Sequence, residues 1–231
     1  MAIQRGPKLE TNGLVLALDA ANVASYPGTG TAWTDLSGVG SVSATLSGAV
    51  FDTTNGGSIS FDGSNDYASL GISSIFNQFS GNFTVSLWAR ASGLNSNAGN
   101  LIGDWYTGNA GATSQWQITM VNSSTQLGVY RHPTGTLISA ASGFSHSTWI
   151  NVVLTRIGST LTLYSNNTSV GTATNSTTFG SATGNLNIGI DGNNTSEPFS
   201  GRIASVLIYN VGLTSTQVSQ NYNLTKARFG Y

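Results

Sequence analysis

The stretch from Ser200 to Tyr222, SGRIASVLIYNVGLTSTQVSQNY, narrows the fold more than any other part of the chain. Ile203, Leu207 and Tyr209 alternate with Ala204, Val206 and Ile208, so apolar side chains stand on both faces over seven residues. That is the pattern of a strand covered on both sides. Gly212 breaks the run, and Thr214 to Gln217 reads T-S-T-Q, a capping box for a short helix ending near Asn221 to Asn223. A buried strand followed by one capped helix needs sheet partners already in place. The stretch therefore reads as the closing element of a β-sandwich.

The rest of the chain supplies those partners. GLVLALDA (Gly13 to Ala20) is nearly continuously apolar and is expected to be a central strand, whereas Ser25 to Gly38 is expected to be a loop turned by Pro27, Gly28 and Gly30. From Ser58 onward, strands recur with turn residues between them: SISFDG, FTVSLWAR, LIGDW, WQITMV, QLGVYRH, the run Trp149 to Thr174 with turns at Gly158 and Asn166–Asn167, and LNIGI. In FTVSLWAR, Phe83, Val85, Leu87 and Ala89 share one face and Ser86, Trp88 and Arg90 the other. No linker and no internal repeat interrupts this order. The expectation is an all-β fold of two antiparallel sheets with one short C-terminal helix, occupying residues 13–223 between an N-terminal arm (1–12) and a C-terminal tail (224–231).

Composition removes several chemistries. Among 231 residues there is no cysteine, which excludes disulfides and thiolate ligands, and His132 and His146 are too few for a histidine-based zinc site. No segment approaches the roughly 20 apolar residues of a membrane span, and MAIQRGPKLETNG lacks the apolar core of a secretory signal. Charged residues are only 7% of the chain, yet the alternating runs argue for a folded protein over a disordered polar one. Four of the eight basic residues (Arg5, Lys8, Lys226, Arg228) and one of the nine acids (Glu10) lie in the ends, so the ends carry +3 and the body −4. This basic pole is too small for nucleic-acid binding and suits docking on an acidic protein surface.

In order, FDGSNDY, FTVSLWAR, W-x-x-V with L-x-L-Y, and FSGRI with IYN resemble the laminin-G-like, concanavalin A-type jelly-roll family over residues 13–223. The resemblance implies two antiparallel sheets packed face to face, with sugars bound on one sheet or in rim loops and with calcium as the cofactor admitted, though none is required. The ends, RGPKLETNGLVLALDAAN with YPGTGTAW and QNYNLTKARFGY, are similar to laminin-G-like proteins of tailed-phage virions. That similarity implies a non-catalytic structural protein of the particle, a capsid decoration or fibre component, assembled in the host cytoplasm and released by lysis. Its partners would be other virion proteins and glycans bound weakly, with Arg5, Lys8, Lys226 and Arg228 as anchors. Its flat, charge-poor surfaces permit homo-oligomers. The alternative is a carbohydrate-binding adhesin or tail-fibre receptor-binding protein. Where relatives carry acidic residues after Gly-x-Ile of the closing strand, this chain has Ala204 and Ser205, which speaks against a calcium there.

Catalytic residues are not expected. Glycosidases need two opposed carboxyl groups, and the only glutamates are Glu10 and Glu197, with no E-x-D-x-E run. Neither histidine lies near a G-x-S-x-G elbow. For ligand contact, glycan or protein, the candidates are Trp105 and Tyr106 with Asp104 and Asn109, and Trp33 in an earlier loop beside Tyr26. Aromatic faces stack on sugar rings while amides and carboxylates take the hydroxyls. Trp88 and Trp149 are assigned to core packing. Asp62, Asn65 and Asp66 put three oxygen-bearing side chains in five residues, and Asp191, Asn193 and Asn194 three in four. Either cluster is part of a calcium site or a tight turn that bonds its own backbone.

Overall fold

The computed structural model describes residues 8–39, 42–72, 79–92, 98–105, 114–121, 125–141, 143–180 and 184–231. In chain order the strands are β1 (Leu14–Asp19), β2 (Ala32–Thr34), β3 (Ser43–Ser47), β4 (Val50–Asp52), β5 (Ser58–Asp62), β6 (Tyr67–Ser69), β7 (Phe83–Ala91) and β8 (Ala98–Gly103). There follow β9 (Trp116–Val121), β10 (Gln126–Arg131), β11 (Gly135–Ala140), β12 (Ile150–Ile157), β13 (Thr160–Ser165), β14 (Thr168–Thr174), β15 (Asn187–Ile188) and β16 (Ser200–Tyr209). Helix α1 (Ser215–Thr225) and a 3-10 turn (Lys226–Phe229) close the chain.

Two eight-stranded antiparallel sheets face each other. Sheet A runs β14-β13-β12-β7-β16-β5-β4, with β1 also on β16; sheet B runs β11-β10-β9-β8-β15-β6-β3-β2. Between them lies one apolar layer. It takes Phe83, Val85, Leu87 and Ala89 from β7, as alternation requires, and Trp116, Ile118 and Met120 from β9. Phe79, Phe83, Trp116 and Phe179 meet in it, with ring centroids 4.8 Å apart for Phe79–Phe83 and 5.1 Å for Phe79–Trp116.

Two sequence expectations are corrected at this level. β1 is not central. β16 is ten residues long, so it pairs β7 along one side and shares its other side between β5 (through Ser200–Ile203) and β1 (through Ser205–Tyr209). β1 is apolar on both faces because the helix layer covers its outer side, not because it has two strand neighbours. The alternation in β16 also slips: a bulge between Ile203 and Ser205 puts Ile203, Val206 and Ile208 in the inter-sheet core and leaves Leu207 and Tyr209 on the outer face.

The outer face of sheet A is sealed by the chain's own ends, residues 8–12 and 213–229. Thr214 caps α1 with the expected box, its hydroxyl accepting from Gln217 N–H while its own N–H donates to Gln217 Oε1. The helix runs on to Thr225, and Phe229 of the 3-10 turn stacks on Trp88 at 4.1 Å and packs on Trp149 at 4.9 Å. Val218 and Leu213 cover Leu14, Ala17, Val153 and Tyr209. Residues 8–12 join the same layer: Glu10 N–H donates to Asn221 Oδ1 (2.9 Å), Gln217 Nε2 donates to Glu10 Oε2 (2.8 Å), and Tyr209 OH donates to the Glu10 carbonyl (3.1 Å). Burial pushes the Tyr209 phenol well above the ordinary tyrosine range. Among the described residues no helix is long and apolar enough to cross a membrane.

Candidate functional site

The outer face of sheet B is of the opposite kind. On β9, Trp116, Ile118 and Met120 point inward, so Gln117 and Thr119 point outward. Thr119 lies directly opposite Asn100 of β8, and Gln117 opposite Gly103, which in turn faces Asn187 of β15. Toward one edge this face continues through Gly128 and Tyr130 of β10, toward the other through Ser69 and Thr45. The Tyr130 ring lies back over Gly128, where a Cβ would stand 2.6 Å from the ring and 2.9 Å from Thr119 Oγ1. A residue without a side chain thus lets the half-exposed phenol lie flat along the strand.

Past the end of β8, Asp104 and Trp105 turn off the sheet. Asp104 is only 3% exposed, and its Oδ1 accepts from Trp116 N–H at 2.8 Å, which ties the end of β8 to β9. Trp105 is half-buried and meets His132 edge to face at 5.7 Å. Its carbonyl accepts from Gly192 N–H at 2.6 Å, which pins the loop of residues 189–199 beside it. Tyr106 and Asn109 lie outside the described residues. Among the described candidates for ligand contact, Trp105 is the one that stands half-buried at this corner. Tyr130 reads only as part of a strand, because an outward aromatic two residues from a glycine carries no mark in a linear pattern, and His132 is weighed only for zinc and catalysis.

Other candidates serve the fold. Trp33 is fully buried, the middle residue of β2 and part of the inter-sheet core; it cannot stack on a ligand. Its loop assignment failed because β2 is only three residues long and is flanked by the expected turn residues. Tyr26 is buried against Phe51, its hydroxyl donating to the Gly30 carbonyl at 2.7 Å. Trp88 and Trp149 are core residues of the helix layer, as expected, with their indole N–H groups donating to Thr225 Oγ1 (3.0 Å) and Asn55 Oδ1 (2.8 Å). Asp62 Oδ1 accepts from Ser64 N–H (2.7 Å), and Asp66 Oδ2 accepts from Asp62 N–H (2.9 Å), which is the geometry of a turn; Asn65 is exposed beside them. Burial raises the Asp66 carboxyl. Asp191 Oδ1 likewise accepts from Thr195 and Ser196 N–H, and Asn194 Oδ1 from Asn187 Nδ2. Among the described residues no three carboxylates or imidazoles gather to hold a metal ion.

Of the four anchoring cations, Arg228 is turned inward. It pairs with Asp19 at 2.7 Å and donates to the carbonyls of Asn55 and Gly57. Lys226 lies over the Tyr222 ring at 5.6 Å, Lys8 is exposed, and Arg5 lies outside the described residues.

Among curated proteins no sequence matches this chain. Solved structures do match in shape, all at low identity. The Trypanosoma rangeli sialidase in complex with sialic acid superposes with a TM-score of 0.72 at 17% identity, over 100% of this chain and 36% of that one. Domain 4 of AbnA, a GH43 extracellular arabinanase from Geobacillus stearothermophilus, in complex with arabinotriose, gives 0.66 at 16% identity, over 92% of this chain and 100% of that domain. The binding domain of Paraclostridial Mosquitocidal Protein 1 gives 0.67 at 16%, over 93% and 52%. The chain spans about a third of the sialidase chains it matches, and these likenesses establish the fold. A family model for the concanavalin A-like lectin/glucanases superfamily, of laminin-G type, matches residues 62–219. The chain belongs to that superfamily.

Proposed function

We propose that this protein is a non-catalytic carbohydrate-binding domain that takes glycans at the Trp105–His132–Tyr130 end of sheet B's outer face. One observation carries the reading: sheet A's outer side is sealed by apolar packing, whereas sheet B's is polar and bears two half-exposed rings, Trp105 and Tyr130. A sugar ring offers an apolar face to such rings and hydroxyls to neighbouring amides. A domain of the same fold solved with arabinotriose, matched over its whole length, adds support. The acids do not suggest hydrolysis. Asp62 and Asp66 serve a turn, Asp191 closes its own loop, and Glu10 is bound into the helix layer.

A glycan array with soluble-sugar competition tests this. Saturable, competed binding that falls at least tenfold in Trp105→Ala and Tyr130→Ala is expected. Binding to no glycan, or binding indifferent to both changes, overturns it. Attachment to a tailed-phage particle is the finer reading. Its support is the resemblance of the two ends, together with the exposed Lys8 that stays available for docking. Mass spectrometry of purified particles that lacks this chain would sink it.

A further inference from the structure

Charge divides between the two sheets very unevenly. The eight strands of sheet B hold one charged residue, Arg131, whereas those of sheet A hold Asp19, Asp52, Asp62, Arg90, Arg156 and Arg202. Arg131 stands between Tyr130 and His132 on β10 and, by alternation, turns to the opposite side from both. Its guanidinium lies over the Phe179 ring at 5.8 Å, its Nε donates to the Thr178 carbonyl at 2.8 Å, and it is 5% exposed. Arg156 meets the same ring from β12 at 5.6 Å and is 3% exposed. The polar side chains of sheet B's outer face, Asn100, Gln117, Thr119, Asn187 and Ser69 among them, are therefore amides and hydroxyls.

At the rim beside Trp105 the charge is negative. Asp104 precedes Trp105 in the chain, and Asp191 precedes Gly192, whose N–H donates to the Trp105 carbonyl at 2.6 Å. Glu197 belongs to the same loop, its carbonyl accepting from Asn100 N–H at 2.9 Å. Burial raises the Glu197 carboxyl; the Gln117 side chain opposes the rise and the Asp191 carboxylate adds to it. The cations lie elsewhere. Arg202 pairs with Asp52 and Arg228 with Asp19, both at 2.7 Å, Arg90 opposes Arg202 in sheet A, and Lys8 and Lys226 belong to the layer of the chain's ends. Of the segments outside the described residues only 1–7 contains a charged side chain, Arg5, three residues from Lys8. His132, edge-on to Trp105, is counted neutral at pH 7.

We infer that the Trp105–Tyr130 end of sheet B takes uncharged glycans and rejects their acidic counterparts, whether sialylated, uronic or sulfated. This rests on the glycan-binding reading above and narrows it. A carboxylate or sulfate brought against a ring sheds strongly held water, and recovers the loss only through charge-assisted bonds from arginine or lysine. Among the described residues no arginine or lysine side chain reaches this face, and the three carboxylates at its rim add repulsion. A sugar hydroxyl, donor and acceptor at once, meets amides and hydroxyls without that loss.

Titration of the full chain at pH 7 with matched glycan pairs tests the inference, each pair a neutral oligosaccharide and the same oligosaccharide sialylated, oxidised to a uronic acid, or sulfated. Each is run at about 0.01 M and about 0.15 M salt, where charges are screened over about 30 Å and about 8 Å. The neutral member should bind about tenfold or more tightly and ignore the salt, while the acidic member should gain as salt rises. Asn193→Lys, an exposed change on the loop pinned beside Trp105, should tighten the acidic member roughly threefold or more at low salt and leave the neutral one unchanged. Acidic glycans bound as tightly as neutral ones, or weakening as salt rises, overturn the inference and leave the glycan site standing, because a cation must then touch the ligand. Binding to no glycan of either kind overturns the glycan-binding reading and this inference with it. Should Asn193→Lys fail to fold, the salt dependence of the natural chain decides.

Discussion

The two outer faces of this sandwich are built from the same kind of strand and put to opposite uses. On sheet A, α1, the 3-10 turn and residues 8–12 bury Trp88, Trp149, Val153 and Tyr209, and polar groups on that side find partners, Ser58 Oγ excepted. Tyr209 OH donates to the Glu10 carbonyl and accepts from Asn221 Nδ2, while Thr84 Oγ1 donates to the Val211 carbonyl and accepts from Leu213 N–H. On sheet B no described helix covers the strands, and the buried oxygens of Asn100, Gln117, Thr119 and Asn187 have no partner. One face has been committed to stability. The other keeps unmet bonding capacity, the condition under which a surface gains from a ligand.

The contrast is broken most severely by Phe229→Ala. That ring is 7% exposed between Trp88 and Trp149, and its loss opens the helix layer. A cost of about 3–5 kcal/mol in chemical denaturation is expected, with glycan binding at Trp105 and Tyr130 retained in the protein that stays folded. A cost below about 1 kcal/mol would mean that the chain's end does not seal sheet A. Next in size is Thr84→Val, which strands one carbonyl and one N–H in the interior and should cost about 1–3 kcal/mol. Thr214→Ala removes one half of the capping box and should cost about 1 kcal/mol, read in the same assay.

How much of this was legible in the sequence follows from the range of each interaction. Period-two alternation is local, so Phe83, Val85, Leu87 and Ala89 were placed on the inner face correctly, as was the Thr214–Gln217 cap. The bulge at Ile203–Ser205 was invisible, since register depends on a partner strand more than a hundred residues away in β7. Residues 224–231 read as a tail because their sequence holds one small basic cluster, and Phe229 has meaning only once Trp88 and Trp149 are beneath it. The site suffered most. Gln117 and Thr119 alternate with Trp116, Ile118 and Met120, which reads as an ordinary solvent-facing side. Their burial and their missing partners arise only when β8, β15 and the 189–199 loop are assembled around them.

The smallest expected effect is the sharpest test of the difference between faces. Thr119 and Thr84 are both fully buried threonines on outer sides of the sandwich, one in each sheet. The hydroxyl of Thr84 is bonded twice, that of Thr119 not at all. Thr119→Val therefore removes an unmet polar group and should leave stability unchanged or raise it by up to about 1 kcal/mol. If Thr119→Val loses as much as Thr84→Val, its hydroxyl is bonded, and the two faces differ in what covers them but not in unmet bonding capacity.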